Sequence, residues 1–359
     1  MCTGSAAPAS DPGRLALPVH RRVATICKGY PAAQENTVKA IIQDRYGEPA
    51  DVLALKEIDK PRVKEGEVLV RVHAASINIG DCHVMRGVPY IMRPAFGLRR
   101  PRNRIPGMDI AGKVEAVGAD VTQFQPGDEV FGWGKGAFAE YATVEADNLL
   151  PKPANLTFEQ AAAIGVSAQT ALQAVRDHGK VHPGQKVLVN GASGGVGTFA
   201  VQIAKSFGAE VTGVCSTDKV QMVTSIGADH VIDYTQEDFT HGEQRYDFIL
   251  DNVGNHSFSD TRRALTAEGT LLSNGAPVGG WIGGLTHVIK ALAQSLFVRQ
   301  QLRPFVSMNS TEDLAALKEF VEAGKVTPVI DKIYPLSETA EAVGHVGQGH
   351  AQGKTVITV

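Results

Sequence analysis

The chain has 359 residues, 43% of them hydrophobic and 20% charged, with a formal net charge of −3. That length leaves room for two domains with cores of their own, and the composition is that of a soluble globular protein. The charge balance gives no general drive towards nucleic acid or an anionic membrane, and no apolar run approaches the ~18 residues of a spanning helix.

Residues 1–37 open with "MCTGSAAPASDPGRLALPVHRR", rich in Ala, Pro and Ser and without the apolar core of a secretory signal. They read as a poorly ordered extension, with an organellar presequence as the alternative. The four cysteines, Cys2, Cys27, Cys82 and Cys215, form no Cys-x-x-Cys pair, which argues against a disulfide framework and predicts a reducing, cytoplasmic setting. From Lys39 to about Leu150, short alternating runs such as "EVLVRVHAASI", "IAGKVEAVG" and "DEVFGWG" are separated by turn residues, the pattern of a β-rich domain. After "PANLTFEQAAAIGVSAQTALQAV" the rhythm becomes strand–helix alternation, which predicts a doubly wound parallel sheet with ligand at the strand carboxyl ends. The apolar stretch 277–301 reads as core or interface packing. The closing runs "VIDKIY" and "KTVITV" are short strands able to rejoin the first domain's sheet.

The strongest motif is "KVLVNGASGGVGTFAVQIAK", where a strand runs into a glycine-rich loop and an amphipathic helix leaves it. The helix face is Val196, Phe199, Ala200, Ile203, Ala204 and Phe207, closed by Gly208. This is the context of a dinucleotide fingerprint: Gly191, Ala192, Ser193, Gly194, Gly195, Val196 and Gly197 form the turn, with Gly194 placed for close approach of a diphosphate and Gly197 for helix–strand packing. At the end of the next strand, "CSTDK" offers Ser216 where an NAD site usually has a carboxylate. A hydroxyl can donate to a 2′-phosphate and Lys219 adds positive charge, so NADPH is the predicted cofactor. The alternative gives the acidic role to Asp218.

The motifs "AASINIGD", "PGMDIAGKVEAVG", "FQPGDEVFGW", "GAFAEYATV", "GASGGVGTFAVQIAK" and "GADHVIDY" resemble those of the medium-chain dehydrogenase/reductase superfamily, in its zinc-free quinone oxidoreductase branch related to zeta-crystallin. The resemblance covers residues 38–359. It implies an α/β fold: a GroES-like substrate domain over 38–162 and 311–359, and a Rossmann domain over 163–310, with a cleft between them. It further implies that Tyr234 borders the 2′-phosphate with Ser216 and Lys219, that Thr170 lies near the nicotinamide ribose, and that Asn252, Val253, Asn274 and Gly275 border the nicotinamide. Asn252 and Asn274 read equally well as turn formers. A homodimer is the implied assembly.

The zinc-dependent members of the superfamily use a Cys, a His and a second Cys, at positions that here read Asn78, Met108 and Val166. None is a good zinc ligand, so no metal is expected although "INIGDCHVMRG" sets Asp81, Cys82 and His83 side by side. Hydride transfer to a quinone or an α,β-unsaturated carbonyl needs only hydrogen-bond help at oxygen. Candidates for that help are Asn78, which could instead tie down its loop; Asp81, which could instead cap a helix; and Tyr90, which could instead line a wall. No proton donor is identifiable. The arginines Arg93, Arg99, Arg100, Arg102 and Arg104 read as a solvated loop near the cleft and not as a nucleic-acid site. The expected function is therefore NADPH-dependent reduction of a small quinone or enone. The alternatives are a zinc-free alcohol dehydrogenase-like enzyme and a non-catalytic NADPH-binding protein.

Overall fold

A computed structural model describes residues 37–275 and 299–359. The extension and most of the apolar stretch 277–301 lie outside the described residues.

The chain starts with β1 (Thr37–Gln43) and β2 (Leu53–Asp59), paired antiparallel as a separate ribbon. Next come β3 (Glu67–Ile77), α1 (Ile79–Arg86), β4 (Asp109–Val117), β5 (Glu129–Trp133), β6 (Tyr141–Glu145) and β7 (Leu149–Pro151). A long helix α2 (Phe158–Leu172) leads to the second sheet. Its elements are β8 (Lys186–Asn190), α3 (Gly195–Ser206), β9 (Glu210–Cys215), α4 (Val220–Ser225), β10 (His230–Asp233), β11 (Tyr246–Asp251), α5 (Phe258–Arg263), β12 (Leu265–Ser273) and β13 (Gln301–Pro304). The chain then continues through α6 (Thr311–Glu322), β14 (Ile330–Pro335), α7 (Thr339–Gly347) and β15 (Lys354–Thr358).

One sheet runs β14-β15-β3-β4-β5-β7, with β6 also paired to β3. Strand β3 carries three neighbours, β15, β4 and β6, and its second half loses polar alternation because Ala74 packs into one apolar cluster while Ala75 and Ile77 pack into another. The other sheet runs β10-β9-β8-β11-β12-β13, every pair parallel. Counted from β8, that order is 3-2-1-4-5-6, the dinucleotide-binding arrangement, with its switch point between β8 and β11. The fold is thus a GroES-like β domain joined to a Rossmann domain.

Packing follows the sequence pattern. Phe199, Ala200, Ile203 and Ala204 of α3 are fully buried against the parallel sheet, and Gly208 ends the helix region at φ +81°. The same apolar cluster takes in α2 and reaches Ala74, Ala111 and Val356 of the first sheet, so the two sheets share one core beneath the cleft.

Candidate active site

The glycine loop begins where β8 ends. Gly191 turns at φ +75°, and a Cβ there would meet Val253 Cγ2 at 2.9 Å. Gly194 precedes the first turn of α3, and no side chain caps that helix. A Cβ on Gly197 would lie 2.1 Å from the Gly191 carbonyl oxygen, so only glycine fits, whereas Gly194 faces open space beyond a single distant contact. Ala192 is buried with its N–H on the Val214 carbonyl, and the Ser193 carbonyl accepts from Gly353 N–H at 2.8 Å. An uncapped helix start behind a glycine that leaves room for a bulky anion fits a dinucleotide diphosphate on Gly194, Gly195 and Val196.

At the adenosine end, Tyr234 follows β10 with its N–H on the Cys215 carbonyl, one residue before Ser216, and its side chain is half exposed. Ser216 donates its hydroxyl to Asp218, which holds that carboxyl below its usual range. The Lys219 ammonium is buried and donates to the His350 carbonyl at 2.6 Å, so its charge faces the chain's closing segment. At the other end, the tips of β8, β11 and β12 meet. Asn252 donates to the Asn190 carbonyl, Asn274 Nδ2 donates to Asn252 Oδ1 at 3.0 Å, and a Cβ on Gly275 would sit 2.6 Å from Asn252 backbone. Val253 is exposed over this edge. Thr170, on α2, bonds the Val166 carbonyl at 2.8 Å and the Ser307 hydroxyl at 2.7 Å.

The structure also gathers a group that the sequence motifs do not announce. Asp109, fully buried, accepts from Ser76 Oγ (2.7 Å), Asn78 Nδ2 (2.9 Å), Val166 N–H (2.8 Å) and Lys354 Nζ (3.3 Å). Lys354, 1% exposed, is ringed by four oxygens: Ile77 O at 3.1 Å, Ser167 Oγ at 3.1 Å, Asp109 Oδ2 and Asn78 Oδ1. Burial pushes its ammonium below the usual lysine range, while Asp109 and Asp81 pull it back up. Helix α2 makes room for this by breaking regularity at Gly165 (φ −14°, ψ −119°), where a Cβ would fall 2.1 Å from Asp109 Oδ1. Asn78 and Val166 meet at Asp109 through an amide and a backbone N–H, and Met108 precedes Asp109 with an exposed side chain; an amide, a thioether and an alkyl group do not fit a zinc ion. Among the described residues no group of three or more His, Cys, Asp or Glu is placed to hold a metal.

Asp81 is not the cap of its helix. Asn78 holds that position with its backbone, and Asp81, in the first turn, accepts the Asn78 N–H at 2.8 Å while the Asn78 side chain turns to the buried cluster. Burial pushes the Asp81 carboxyl up to about 7, and nearby Asp109 adds to the rise. Cys82 is buried, with its thiol pushed up to about 12 by burial, and cannot serve as a thiolate. Tyr90 is 37% exposed on a short helical turn, with the Arg93 guanidinium over its ring at 4.4 Å. Within the arginine loop, Arg104 pairs with Asp44 and Arg102 bonds the Pro94 carbonyl, while Arg99 and Arg100 are exposed. Asp109, Gly165, Ser167 and Lys354 were missed by sequence reasoning. A lysine just before a terminal β run was the available signal.

Comparison with known proteins agrees with this geometry. Residues 64–154 match the family described as alcohol dehydrogenase GroES-like domain, and residues 226–357 match zinc-binding dehydrogenase. The chain is 34% identical over 370 residues to the Mus musculus NAD(P)H oxidoreductase RTN4IP1, mitochondrial, covering 91% of each chain. It is 32% identical over 339 residues to the Arabidopsis thaliana NADPH-dependent alkenal/one oxidoreductase, chloroplastic, covering 89% of this chain and 79% of the relative. The quinone oxidoreductase structure from Coxiella burnetii superposes with a TM-score of 0.78 at 29% identity, covering 90% of this chain and 99% of that one. The mitochondrial relative overturns the cytoplasmic expectation. Cysteine spacing separates oxidising from reducing surroundings and does not resolve one reducing compartment from another.

Proposed function

Because the chain belongs to the medium-chain dehydrogenase/reductase superfamily, in its quinone oxidoreductase branch, we propose that it is an NADPH-dependent, zinc-independent reductase of quinones or α,β-unsaturated carbonyls. The observation that carries the reading is the Asn78–Asp109–Lys354 cluster beside a dinucleotide loop, where an amide stands in place of a thiolate ligand and the nearby carboxylate is already paired with a buried ammonium. The names of the relatives, with NADPH, quinone and alkenal/one among them, point the same way.

NADPH supplies the hydride, and the protein's part is to bind, orient and exclude water. Gly194, Gly195 and Val196 anchor the diphosphate. Ser216 and Tyr234 border the ribose phosphate, Asp218 being exposed and free to turn aside for it. Asn252, Val253, Asn274 and Gly275 form the wall for the nicotinamide, with Thr170 near its ribose. Asn78, 8% exposed, faces the developing negative charge on the acceptor's oxygen with an amide N–H. A quinone that takes hydride becomes a hydroquinone anion, which takes its proton from solvent. A simple ketone would need a stronger electrophile than one neutral amide, which is why conjugated acceptors are favoured.

The test is nicotinamide oxidation by the purified protein with a benzoquinone, an ortho-quinone, an enone and an aldehyde, alongside metal analysis. Turnover with quinone or enone and no stoichiometric zinc is expected. Oxidation with the aldehyde alone would favour the alcohol dehydrogenase-like reading, and NADPH binding without oxidation would favour a non-catalytic protein. We further infer a mitochondrial location from the mouse relative, checked by imaging a tagged full-length chain against compartment markers.

A further inference from the structure

We propose that Lys354 is a positioning residue for the reaction: with Asp109 it fixes the amide of Asn78 so that one N–H stays free for the acceptor's oxygen. The proposal rests on the reductase reading above. An asparagine amide has oxygen and nitrogen ends of nearly equal shape, so its orientation depends on what its neighbours can donate or accept. Here both neighbours are unambiguous. The Lys354 ammonium only donates, and it lies against Asn78 Oδ1. Ser167 Oγ donates to the same oxygen at 3.0 Å while itself accepting from Lys354 at 3.1 Å. The Asp109 carboxylate, paired with the Lys354 ammonium, accepts on this side and holds Nδ2 at 2.9 Å. Flipping the amide would set donors against donors on one side and acceptors against acceptors on the other.

Hydrogen-bond accounting then isolates one group. The Asn78 side chain has two acceptor positions and two N–H groups. Ser167 and Lys354 occupy both acceptor positions, and Asp109 takes one N–H. The second N–H has no partner among the described residues. The anchor is shared with the cofactor loop, because Gly353 N–H bonds Ser193 O, Gly353 bridges to Gly194, and a Cβ on Gly195 would lie 3.2 Å from Lys354 Cδ. The Lys354 ammonium thus braces the donor to the acceptor's oxygen, while its stem and the Gly353 backbone lie under the diphosphate turn.

The experiment uses the full chain. Lys354→Met removes the donor while keeping an unbranched apolar stem, and the milder Ser167→Ala removes one of the two donors to Oδ1 and leaves the ion pair in place. For Lys354→Met, kcat with a benzoquinone is expected to fall by about tenfold or more, while the NADPH dissociation constant and the quinone KM stay within about threefold. Ser167→Ala is expected to lower kcat by a smaller factor with the same split. Lys354→Arg, which keeps a donor-only cation, should recover part of the loss. A folded, NADPH-binding Lys354→Met protein with wild-type kcat overturns the proposal, as does a kcat loss that only tracks lost NADPH affinity. If Lys354→Met does not fold, an unchanged kcat in Ser167→Ala overturns it. Failure of the reductase reading looks different: the wild type itself would then oxidise NADPH with no conjugated acceptor.

Discussion

Replacing Asp109 by asparagine exchanges one oxygen for an amide nitrogen and leaves the shape of the side chain intact. Its effect on stability should nevertheless be large. The carboxylate is fully buried and accepts four hydrogen bonds, one on Oδ1 from Val166 N–H and three on Oδ2 from Ser76, Asn78 and Lys354. An asparagine would best turn its nitrogen towards Val166, leaving that N–H facing another donor at a cost of about 1–3 kcal/mol. The greater loss is the charge. Lys354 would remain buried with no counter-ion, and breaking one side of a buried pair costs about 3–5 kcal/mol. The two terms share atoms and do not add fully, so about 3–5 kcal/mol is the expected total. Urea unfolding followed by tryptophan fluorescence measures it, because Trp133 lies directly across the β4–β5 ladder from Asp109. The midpoint should fall with the slope unchanged. Adding Lys354→Met to Asp109→Asn removes the stranded ammonium and should recover the greater part of the loss. A single-variant cost below about 1 kcal/mol would refute the view that this ion pair anchors the cleft.

Three other outcomes are expected. Burial pushes Asp81 up to about 7, so between its ordinary value of 3.8 and about 7 the folded protein holds a proton that the unfolded chain has released. Wild-type stability therefore declines across that window as pH rises, and Asp81→Asn should gain on the wild type from about pH 4 to about pH 7. A stability difference that does not change with pH would count against it. Gly197→Ala forces a methyl to 2.1 Å from the Gly191 carbonyl and should raise the NADPH dissociation constant by about tenfold or more in a fluorescence titration, with near-wild-type binding as the refuting result. Ser216→Asp brings a carboxylate to the ribose-phosphate end and should shift preference from NADPH towards NADH, read as the ratio of kcat/KM values. An unchanged ratio would remove Ser216 from the phosphate site.

What the sequence reveals here follows from how local each signal is. The glycine loop and the face of α3 are legible because strand, turn and helix periodicities lie within twenty consecutive residues, and α3 buries the side chains its spacing selects. The start of α1 is equally local, yet its cap position falls to Asn78 and not to Asp81, the residue the sequence offers for it. The ion pair is not legible, since it joins Asp109 to a lysine 245 residues away, and an isolated Lys354 looks like any solvated strand-end charge. Gly165 is invisible for the same reason: a glycine within a helical run ordinarily marks a weak spot, and only the Asp109 carboxylate beside it shows why the helix must break there. Lys219 matches a phosphate-holding position by type, yet its ammonium is taken by a carbonyl from a distant segment.

The position of β15 sets an order of assembly. Thr355 pairs with Ile77, so β3 stays without one of its three neighbours until residues 354–358 have left the ribosome. The parallel sheet from Lys186 to Pro304 has all its strands well before then. A growing chain can therefore complete its parallel sheet while the β domain is unfinished, with β3 presenting an open edge that invites mispairing. Until Gly353 arrives to donate to the Ser193 carbonyl the glycine loop lacks its brace as well, so residues 353–358 complete the β sheet and the nucleotide turn together.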